Sequence, residues 1–486
     1  MSKPTKLVLA VVDSLKPEML DRAIAQGRAP ALAALVERGT YVRDCVSSFP
    51  SVTPVAAASI ATGLGPDEHH VPAMNWYHRG ERRYVEYGSS FDASRAFGVV
   101  RSLNDTIYNL NMAHLNRDRK TVFEHLGDAG VRTACTTYLI YRGRKRHAMA
   151  QEGLYARIGR IAFGHGVWGP DELFYADLFA SRKTGCRSVL GLPGQRDQHS
   201  ACVGAHLVEN DLFDFMLFSL PDTDTYSHKN GPYAQPQAIA SADRALERIF
   251  HVAGGIDAFL EEHAVIVVSD HSQTPVDDSL NLATVLEGWH VLSPGGDPGS
   301  GPELAVCPSQ RSAMVYVLDA DRRDEVAPLV ARDLQGTEGV DLVARRENGE
   351  AIVLGRRGEL RFGPGSELED ALGARWWVDG DHEALALAVE DGRVRSRSYP
   401  HALARLWSAL DNPHAGELLV SAEPGFEFVD WGGVDHVGGG SHGSLNRGDS
   451  LGVLILCGAG QSGEAPGQWS LQDVTPIVLD HFGVAG

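Results

Sequence analysis

The chain has 486 residues, of which 43% are hydrophobic, and its 44 basic and 63 acidic residues give a net charge of −19. This length exceeds one typical core, so we expect one large domain with insertions, or two domains. The acidic balance argues against a nucleic-acid polymer or an anionic membrane as the main partner. It does not exclude a phosphorylated small molecule, because a metal site can supply local positive charge.

Compartment is predicted from the cysteines and the apolar segments. No segment approaches the ~20 apolar residues of a membrane span, and the N-terminus runs into a strand-like segment without a signal-peptide pattern. The cysteines are scattered without a CxxC pair, which predicts free thiols in a reducing compartment. We therefore expect a cytoplasmic protein without a membrane partner, and a homo-oligomer is compatible with the sequence. The six cysteines are Cys45, Cys135, Cys186, Cys202, Cys307 and Cys457.

The first predicted element is a strand from Lys6 to Val12, followed by Asp13. Its continuous apolar run is typical of a strand buried on both faces of an α/β sheet. Open α/β sheets bind their ligands at the carboxyl ends of the strands. Asp13 is therefore a candidate site residue.

The next informative stretch runs from Phe49 to Gly63 and contains Thr53. Its Ala-rich part predicts a helix over 55–62, with Thr53 as the N-cap, Pro54 as the first helical residue and Gly63 as the stop. A hydroxyl at a helix N-terminus lies where free N–H groups favour a phosphate. Thr53 is either an ordinary cap or a nucleophile, and the stretch alone favours the cap.

Two segments further along offer weaker candidates for substrate contact. Asn75 to Gly80 mixes aromatic and polar residues, which predicts a loop that either touches substrate or packs on the surface. The basic run Arg142 to His147 is more typical of a solvated face than of an anion site. Between these two segments, residues 121–138 are predicted to form a helix that ends at a glycine and then a strand.

Two later apolar runs also end in ligand-type residues. The run Phe213 to Leu220 leads into Asp224 and His228, and the run from His263 leads into Asp270 and His271. A helix is predicted between them, from about Gln235 to Phe259. Asp224 and His228 are four residues apart, so one helical turn would place both on the same face. Three strands with the same apolar-then-carboxylate ending form a pattern that chance rarely gives.

The rest of the chain predicts an insertion and a return to the core. Linker-like composition at Gly295 to Pro302 opens a region of mixed strands and one helix, and a glycine-rich loop later presents His442. We expect a catalytic α/β core at residues 1–295, an α+β insertion or cap at 296–420, and the rest of the core at 421–486. The last strand is predicted at 451–457 and a closing helix at 472–482.

The collected carboxylates and imidazoles suit divalent metal ions. Mixed oxygen and nitrogen ligands favour Zn²⁺, with Mn²⁺ or Fe as alternatives. Two such ions about 3.5–4 Å apart can clamp the attacking and leaving oxygens of a phosphoryl displacement. The candidate ligands are Asp13, Asp224, His228, Asp270, His271 and His442.

These motifs occur in an order that resembles a known superfamily. They are Asp13, Phe49-Pro-Ser-Val-Thr53, Asp224-x-x-x-His228 followed by Gly231-Pro232, Ser269-Asp270-His271 and Gly440-Ser-His442-Gly443. The sequence resembles the alkaline phosphatase superfamily and is closest to its type I phosphodiesterase/nucleotide pyrophosphatase branch. The resemblance covers residues 6–80, 121–138, 210–275 and 435–486. It implies a central, mostly parallel sheet flanked by helices, with a smaller α+β insertion.

The resemblance also implies roles for individual residues. One metal would be held by Asp224, His228 and His442, and the other by Asp13, Asp270 and His271 with the Thr53 oxygen. Thr53 would attack phosphorus, and the covalent phospho-threonine would then be hydrolysed. The implied activity is hydrolysis of phosphodiester or nucleotide pyrophosphate bonds.

Alternatives remain open at this point. A phosphate-binding Asn is often found about twenty residues after the family nucleophile, but here Met74 stands at that count with Asn75 beside it. Either Asn75 serves after a shift of one residue, or the contact is missing. Ser51 is an alternative nucleophile. The rival functions are a phosphonate hydrolase resembling phosphonoacetate hydrolase, a phosphomonoesterase, and a non-catalytic metal-binding homologue.

Overall fold

The structure is a computed structural model of the chain, and it describes residues 6–149, 164–176, 178–188, 191–460 and 467–486. The first residues, on which the expectation of no signal peptide rests, lie outside these ranges. In the described part, the helices are all too short or too polar to cross a membrane.

The strands fall into three groups along the chain. Those before the insertion are β1 (Lys6–Val12), β2 (Thr40–Val46), β3 (Asn75–His78), β4 (Arg83–Glu86), β5 (Thr133–Thr136), β6 (Lys145–His147), β7 (Val167–Gly169), β8 (Glu172–Tyr175), β9 (Phe179–Ala180), β10 (Phe215–Leu220), β11 (His263–Val268) and β12 (Thr274–Leu280). Those of the insertion are β13 (Leu304–Ser309), β14 (Ser312–Val317), β15 (Val340–Glu347), β16 (Glu350–Gly355), β17 (Gly358–Glu369), β18 (Arg375–Gly380), β19 (Leu387–Glu390), β20 (Arg393–Ser396) and β21 (Leu418–Ala422). The last are β22 (Gly425–Phe428), β23 (Gly440–Ser441) and β24 (Leu451–Cys457).

The helices are distributed over the whole chain. The α-helices are α1 (Pro17–Ala25), α2 (Pro30–Arg38), α3 (Thr53–Thr62), α4 (Pro66–His69), α5 (Phe91–Phe97), α6 (Val99–Leu103), α7 (Val122–Asp128), α8 (Arg196–Glu209), α9 (Asp222–Asn230), α10 (Pro236–Val252), α11 (Ile256–Glu262), α12 (Leu282–Val285), α13 (Arg323–Gln335), α14 (Ala402–Leu410), α15 (Arg447–Ser450) and α16 (Val474–Phe482). A π-helix spans Asn104–His114, and 3₁₀ turns span Pro232–Ala234, Pro298–Ser300, Ala320–Arg322, His382–Leu385 and Leu471–Asp473.

The central sheet has eight strands among the described residues, in the order β2-β24-β11-β1-β10-β5-β8-β9. The five strands from β11 to β8 run parallel, and antiparallel neighbours flank them. Alternate residues of β1 pack into two different hydrophobic clusters, so both faces of the sheet are covered. The predicted α/β fold with a mostly parallel sheet is confirmed.

The insertion forms a second sheet that packs against the core. In the described chain this sheet has nine strands, and its pairs are antiparallel except for β17 with β20. Helix α13 covers one face through Val326, Val330 and Leu334. Met314 and Leu419 on the other face belong to the same hydrophobic cluster as Ala56 of α3. The insertion therefore shares a core with the catalytic part, although the domain limits at 296 and 420 stay a prediction.

A small three-stranded sheet brings two distant loops together. Strand β12 pairs with β22 in parallel and with β23 in antiparallel orientation. The register places Thr274 opposite Ser441, so the loop before β12 and the loop after β23 are neighbours. These are the loops that carry His271 and His442.

The structure corrects three local predictions. Val52 is the N-cap of α3 and Thr53 its first residue, because the carbonyl of extended Val52 accepts the N–H groups of Val55 and Ala56. Asn75 to His78 forms a hairpin strand with β4 rather than a loop. The helix predicted from about Gln235 to Phe259 is broken at Gly254 and Gly255, whose φ angles of 94° and 108° suit glycine alone. Gly63 ends α3 in the left-handed conformation, as predicted.

The prediction that all six cysteines are free thiols is wrong. Cys186 and Cys202 form a disulfide that joins the segment after β9 to α8, while the other four cysteines are free and buried. Sixteen residues separate the two partners, and no sequence motif marks such a pair. The cysteines therefore no longer support a reducing compartment, and the cytoplasmic location stays an untested expectation.

We predict that this disulfide stabilises the protein. Closing a loop of 16 residues restricts the unfolded chain, which contributes about 3 kcal/mol. Denaturant unfolding should show this loss in Cys202→Ala, and in the parent after treatment with dithiothreitol. Dithiothreitol should leave Cys202→Ala unchanged. A parent protein whose unfolding midpoint does not respond to the reductant would contradict the prediction.

Candidate active site

The predicted ligand residues converge at one edge of the central sheet. Asp13 follows β1, and Asp270 and His271 follow β11, its parallel neighbour. Strand β10, on the other side of β1, leads directly into α9, which carries Asp224 and His228. The carboxyl ends of adjacent parallel strands meet at the same edge, so the sheet order itself assembles these side chains.

The first group of ligand atoms surrounds His271. Its Nε2 lies 3.6 Å from Asp13 Oδ1, 3.4 Å from Asp270 Oδ2 and 3.2 Å from Thr53 Oγ1. One ligand atom from each of Asp13, Asp270 and His271 falls within 4.8 Å of the others. This is the grouping that the family resemblance implies for one metal, and the Thr53 hydroxyl lies beside it.

The second group surrounds Asp224. One of its carboxylate oxygens is 3.4 Å from His228 Nε2, and the other is 3.6 Å from His442 Nε2. Asp224 and His442 also lie within 4.8 Å of His271 Nε2, and the rings of His271 and His442 stack at 3.7 Å. His228 joins through Asp224, with its ring centre 5.2 Å from that of His442. His271 therefore lies between the two groups.

Each histidine is held in the tautomer that a metal ligand needs. The Nδ1 of His228 contacts the Gly440 carbonyl at 2.8 Å, and that of His442 contacts the Ser51 carbonyl at 2.8 Å. His271 Nδ1 contacts the Ser272 carbonyl at 3.2 Å. A carbonyl only accepts, so each Nδ1 carries a proton and Nε2 is the nitrogen left for a metal ion. The three Nε2 atoms lie beside the carboxylates.

Buried charge in the site fits the presence of cations. Asp13 Oδ1 and His442 Nε2 are buried and have no hydrogen-bond partner among the described residues. Burial and the neighbouring carboxylates Asp270 and Asp224 raise the pKa of Asp13, and burial likewise raises that of Asp270. Burial opposes ionisation of Asp224 too, but His228, His442 and His271 together lower the pKa of Asp224. Positive charge between these groups would remove the repulsion, so the donor set fits divalent ions.

The segment before Thr53 is tied to the loop of His442. Ser51 N–H donates to the Gly443 carbonyl, and the Ser51 hydroxyl donates to the Ser444 carbonyl at 2.8 Å. Ser51 is fully buried, and its hydroxyl is bonded away from the ligand groups. Thr53 is the first residue of α3 and not its N-cap, and its hydroxyl contacts His271 Nε2.

Asn75 lies under the insertion. Its Nδ2 donates to the Pro308 carbonyl at 2.6 Å and more weakly to Ser89 Oγ, and its N–H donates to Ser309 Oγ. Its Oδ1 is buried without a hydrogen-bond partner in the described chain. A substrate contact by Asn75 stays a prediction.

The basic run serves the fold at two of its positions. The guanidinium of Arg142 is buried and bonds Glu124, and Arg144 bonds Glu124 and Asp128. Lys145 and Arg146 are exposed on β6. Arg142 and Arg144 thus have partners of their own and belong to the packing of α7.

Asp449, which the sequence analysis missed, connects the loops of the site. Its carboxylate accepts from Arg311 at 2.8 Å, from Thr274 Oγ1 at 2.6 Å and from Ser444 Oγ at 2.6 Å. Its carbonyl accepts the N–H of Ser272. The only signal in the sequence is a carboxylate just before a buried strand, which alone indicates little.

A second missed pair supports His228. The buried carboxylate of Glu427 accepts from Ser441 Oγ at 2.6 Å and contacts His436 Nδ1 at 2.9 Å. The ring of His436 lies 4.1 Å from that of His228. Glu427 thereby fixes the loop whose Gly440 carbonyl orients His228.

We predict that His442→Ala lowers metal content. The variant removes a buried Nε2 that lies between Asp224 and the stacked ring of His271. Elemental analysis after dialysis should show a loss of about one ion per chain, since losing one ligand of three weakens a site strongly. His290→Ala is a matched control, because His290 is exposed and lies outside both ligand groups. Unchanged metal in His442→Ala would remove this residue from the site.

We also predict that Asp449→Ala destabilises the fold. Arg311 is 1% exposed, so the substitution leaves a buried charge unpaired, at a cost of about 3–5 kcal/mol. Thermal or denaturant unfolding measures this loss, and the exposed Asp379→Ala serves as control. Adding Arg311→Met should recover part of the stability, because no buried charge is then left alone. A double variant no more stable than Asp449→Ala would argue against the ion pair as the cause.

Comparisons with known proteins bear on the family and the fold of the chain. The sequence profile of the family described as Type I phosphodiesterase / nucleotide pyrophosphatase matches residues 7–445. Phosphonoacetate hydrolase from Sinorhizobium meliloti 1021, solved with phosphonoformate, is 18% identical with a TM-score of 0.56, over 100% of this chain and 97% of that one. Murine ectonucleotide pyrophosphatase/phosphodiesterase 5, solved as an inactive variant with AMP, is 11% identical with a TM-score of 0.59, over 99% and 96%.

At these identities the two structures establish the fold alone, and the profile establishes the family. The profile match covers most of the chain, including Asp13, Thr53 and the segments of the other candidate ligands. The resemblance inferred from the motifs is therefore confirmed. The chain belongs to the type I phosphodiesterase/nucleotide pyrophosphatase family of hydrolases.

Proposed function

We propose that this hydrolase cleaves phosphodiester or nucleotide pyrophosphate bonds with Thr53 as the nucleophile and two divalent metal ions, most simply Zn²⁺. One observation carries the proposal. The Thr53 hydroxyl, on the first residue of a buried helix, lies 3.2 Å from the Nε2 of His271, the residue between the two ligand groups. Thr53 is not the N-cap of this helix, so its hydroxyl has no capping role.

In this proposal two groups of residues hold the metal ions, and Thr53 attacks phosphorus. Asp224, His228 and His442 would hold one ion, and Asp13, Asp270 and His271 the other, with the Thr53 oxygen. Bound ions would lower the pKa of the Thr53 hydroxyl and offset charge on the phosphoryl oxygens, so that no dedicated general base is needed. Thr53 Oγ1 forms a bond to phosphorus as the bond to the leaving oxygen breaks, and water later hydrolyses the phospho-threonine.

The start of α3 contributes to binding and positioning. The positive end of a helix dipole attracts phosphoryl oxygens, and α3 presents that end beside Thr53. The bridge between Ser51 and Gly443 fixes the backbone just before Thr53 relative to the His442 loop. Both effects favour in-line attack by lowering the freedom that must be lost at the reaction step.

The proposed substrate is a phosphorylated small molecule rather than a polymer or a membrane lipid. The net charge of −19 opposes binding to extended anionic surfaces. Positive charge would instead be concentrated at the two ligand groups, where one phosphoryl group binds.

A substrate screen tests the function. Zinc- and manganese-loaded protein should hydrolyse bis(p-nitrophenyl) phosphate and nucleotide pyrophosphates faster than p-nitrophenyl phosphate. Release of inorganic phosphate from phosphonoacetate, without turnover of diesters, would instead favour the carbon–phosphorus rival. Absence of turnover in every class would favour a non-catalytic homologue.

We predict that Thr53→Ala abolishes hydrolysis. Loss of a nucleophile should lower kcat by about a thousandfold or more, whereas Thr53→Ser keeps a hydroxyl and should retain part of the activity. Steady-state kinetics with bis(p-nitrophenyl) phosphate measures both. Ser51→Ala tests the alternative nucleophile. If Ser51→Ala were inactive while Thr53→Ala kept the parent rate, the assignment would be reversed.

A further inference from the structure

A hairpin of the insertion reaches the candidate active site. Strands β13 and β14 pair up to Ser309 and Ser312, and Gln310 lies in the turn between them. The Nε2 of Gln310 is 3.5 Å from the Nε2 of His228. No sequence motif singles out this glutamine, because its proximity to His228 depends on how the insertion packs.

The backbone of Gln310 is fixed on both sides. Its carbonyl accepts the N–H of Phe428 at 2.8 Å, and the following residue, Arg311, donates its N–H to the His442 carbonyl at 2.9 Å. The guanidinium of Arg311 is bonded to Asp449. Gln310 itself has a φ of 61°, which costs energy for a residue with a side chain. Such conformations persist where the surrounding structure enforces them and are common at functional sites.

The side-chain amide of Gln310 is poorly satisfied. Its Oε1 is buried and has no hydrogen-bond partner among the described residues. Its Nε2 lies 3.5 Å from His228 Nε2, the nitrogen that a metal ion would use, since His228 Nδ1 is bonded to Gly440. With that nitrogen bound to an ion, the amide would have a free donor beside the Asp224, His228 and His442 group. A bound anion would supply an acceptor for this donor.

We propose that Gln310 is a substrate-binding residue, whose Nε2 donates to an anionic oxygen on phosphorus at the side of Asp224, His228 and His442. This rests on the proposed function, since it places the phosphorus group at that site. The insertion then contributes directly to binding, through one amide on a rigid turn. A hydrogen bond to a charged group is stronger than one between neutral groups, so the contact is measurable.

The test uses Gln310→Met, which keeps the length of the side chain and removes both hydrogen-bonding atoms. Isothermal titration of zinc-loaded protein with inorganic phosphate should show affinity about 10- to 100-fold weaker than in the parent. The kcat/KM for bis(p-nitrophenyl) phosphate should fall by a similar factor. Metal content, measured by elemental analysis, should stay at the parent value.

Three variants control the experiment. Gln310→Gly relieves the positive φ and should be at least as stable as the parent, yet bind phosphate as weakly as Gln310→Met. Gln273→Met makes the same chemical change at a glutamine bonded to Asp224 Oδ1, and should lower metal content. Gln335→Met, in the insertion on α13, should match the parent in metal content, phosphate affinity and activity.

The outcomes separate this proposal from the function on which it rests. Phosphate affinity unchanged in Gln310→Met, or no phosphate binding by the loaded parent, overturns the proposal. A loss of metal in Gln310→Met also overturns it, because Gln310 would then act on His228. If the parent hydrolyses no phosphorus ester but Gln310→Met still weakens phosphate binding, the contact stands and the proposed function fails.

Discussion

The rest of the site depends on the ion pair and the hydrogen bonds made by one buried carboxylate, that of Asp449. It receives Arg311 from the insertion, Thr274 from the strand after His271, and Ser444 from the loop after His442. Burying an ion pair costs several kcal/mol per charge, and hydrogen bonds to the remaining lone pairs offset that cost. Both Asp449 oxygens have such partners. Because the partners lie 5 to 175 residues away, one carboxylate fixes three segments that the sequence keeps apart.

The metal-ligand groups show why this fixation matters. Three carboxylates and three imidazoles are crowded at a largely buried edge of the sheet, and burial together with mutual repulsion raises the pKa of Asp13. An arrangement of this kind is unfavourable without cations, so the surrounding hydrogen bonds must hold the ligand side chains in place. The carbonyls of Gly440, Ser51 and Ser272 do so by orienting the imidazoles, and Glu427 in turn fixes the loop that contains Gly440. Binding of metal would then release repulsion that the fold already sustains.

Sequence reasoning succeeded where one local pattern determined one element. An apolar run ending in a carboxylate predicted the strands before Asp13, Asp224 and Asp270, and spacing of four placed Asp224 and His228 together. It failed where the partner lies far along the chain. Gln310, Glu427 and Asp449 lie at the site through tertiary contacts, and Cys186 pairs with Cys202 across 16 residues that carry no motif for a disulfide. The break at Gly254 and Gly255 is different, because the two glycines were a visible signal that the helical pattern around them overrode.

The β13–β14 hairpin of the insertion contacts both Asn75 and His228, which lie far apart in the sequence. Asn75 donates from its Nδ2 to the Pro308 carbonyl and from its backbone N–H to Ser309 Oγ. Gln310, which follows Ser309 in the chain, faces His228. A shift of this hairpin would therefore move the surroundings of Asn75 and of His228 together. Asn75, which stands beside the position where the family pattern expects an amide, is bonded to the insertion, and the insertion places the amide of Gln310 beside His228. The positions of Asn75, Gln310 and His228 are thus coupled through one turn, since the turn that carries Gln310 is also the turn that Arg311 joins to Asp449.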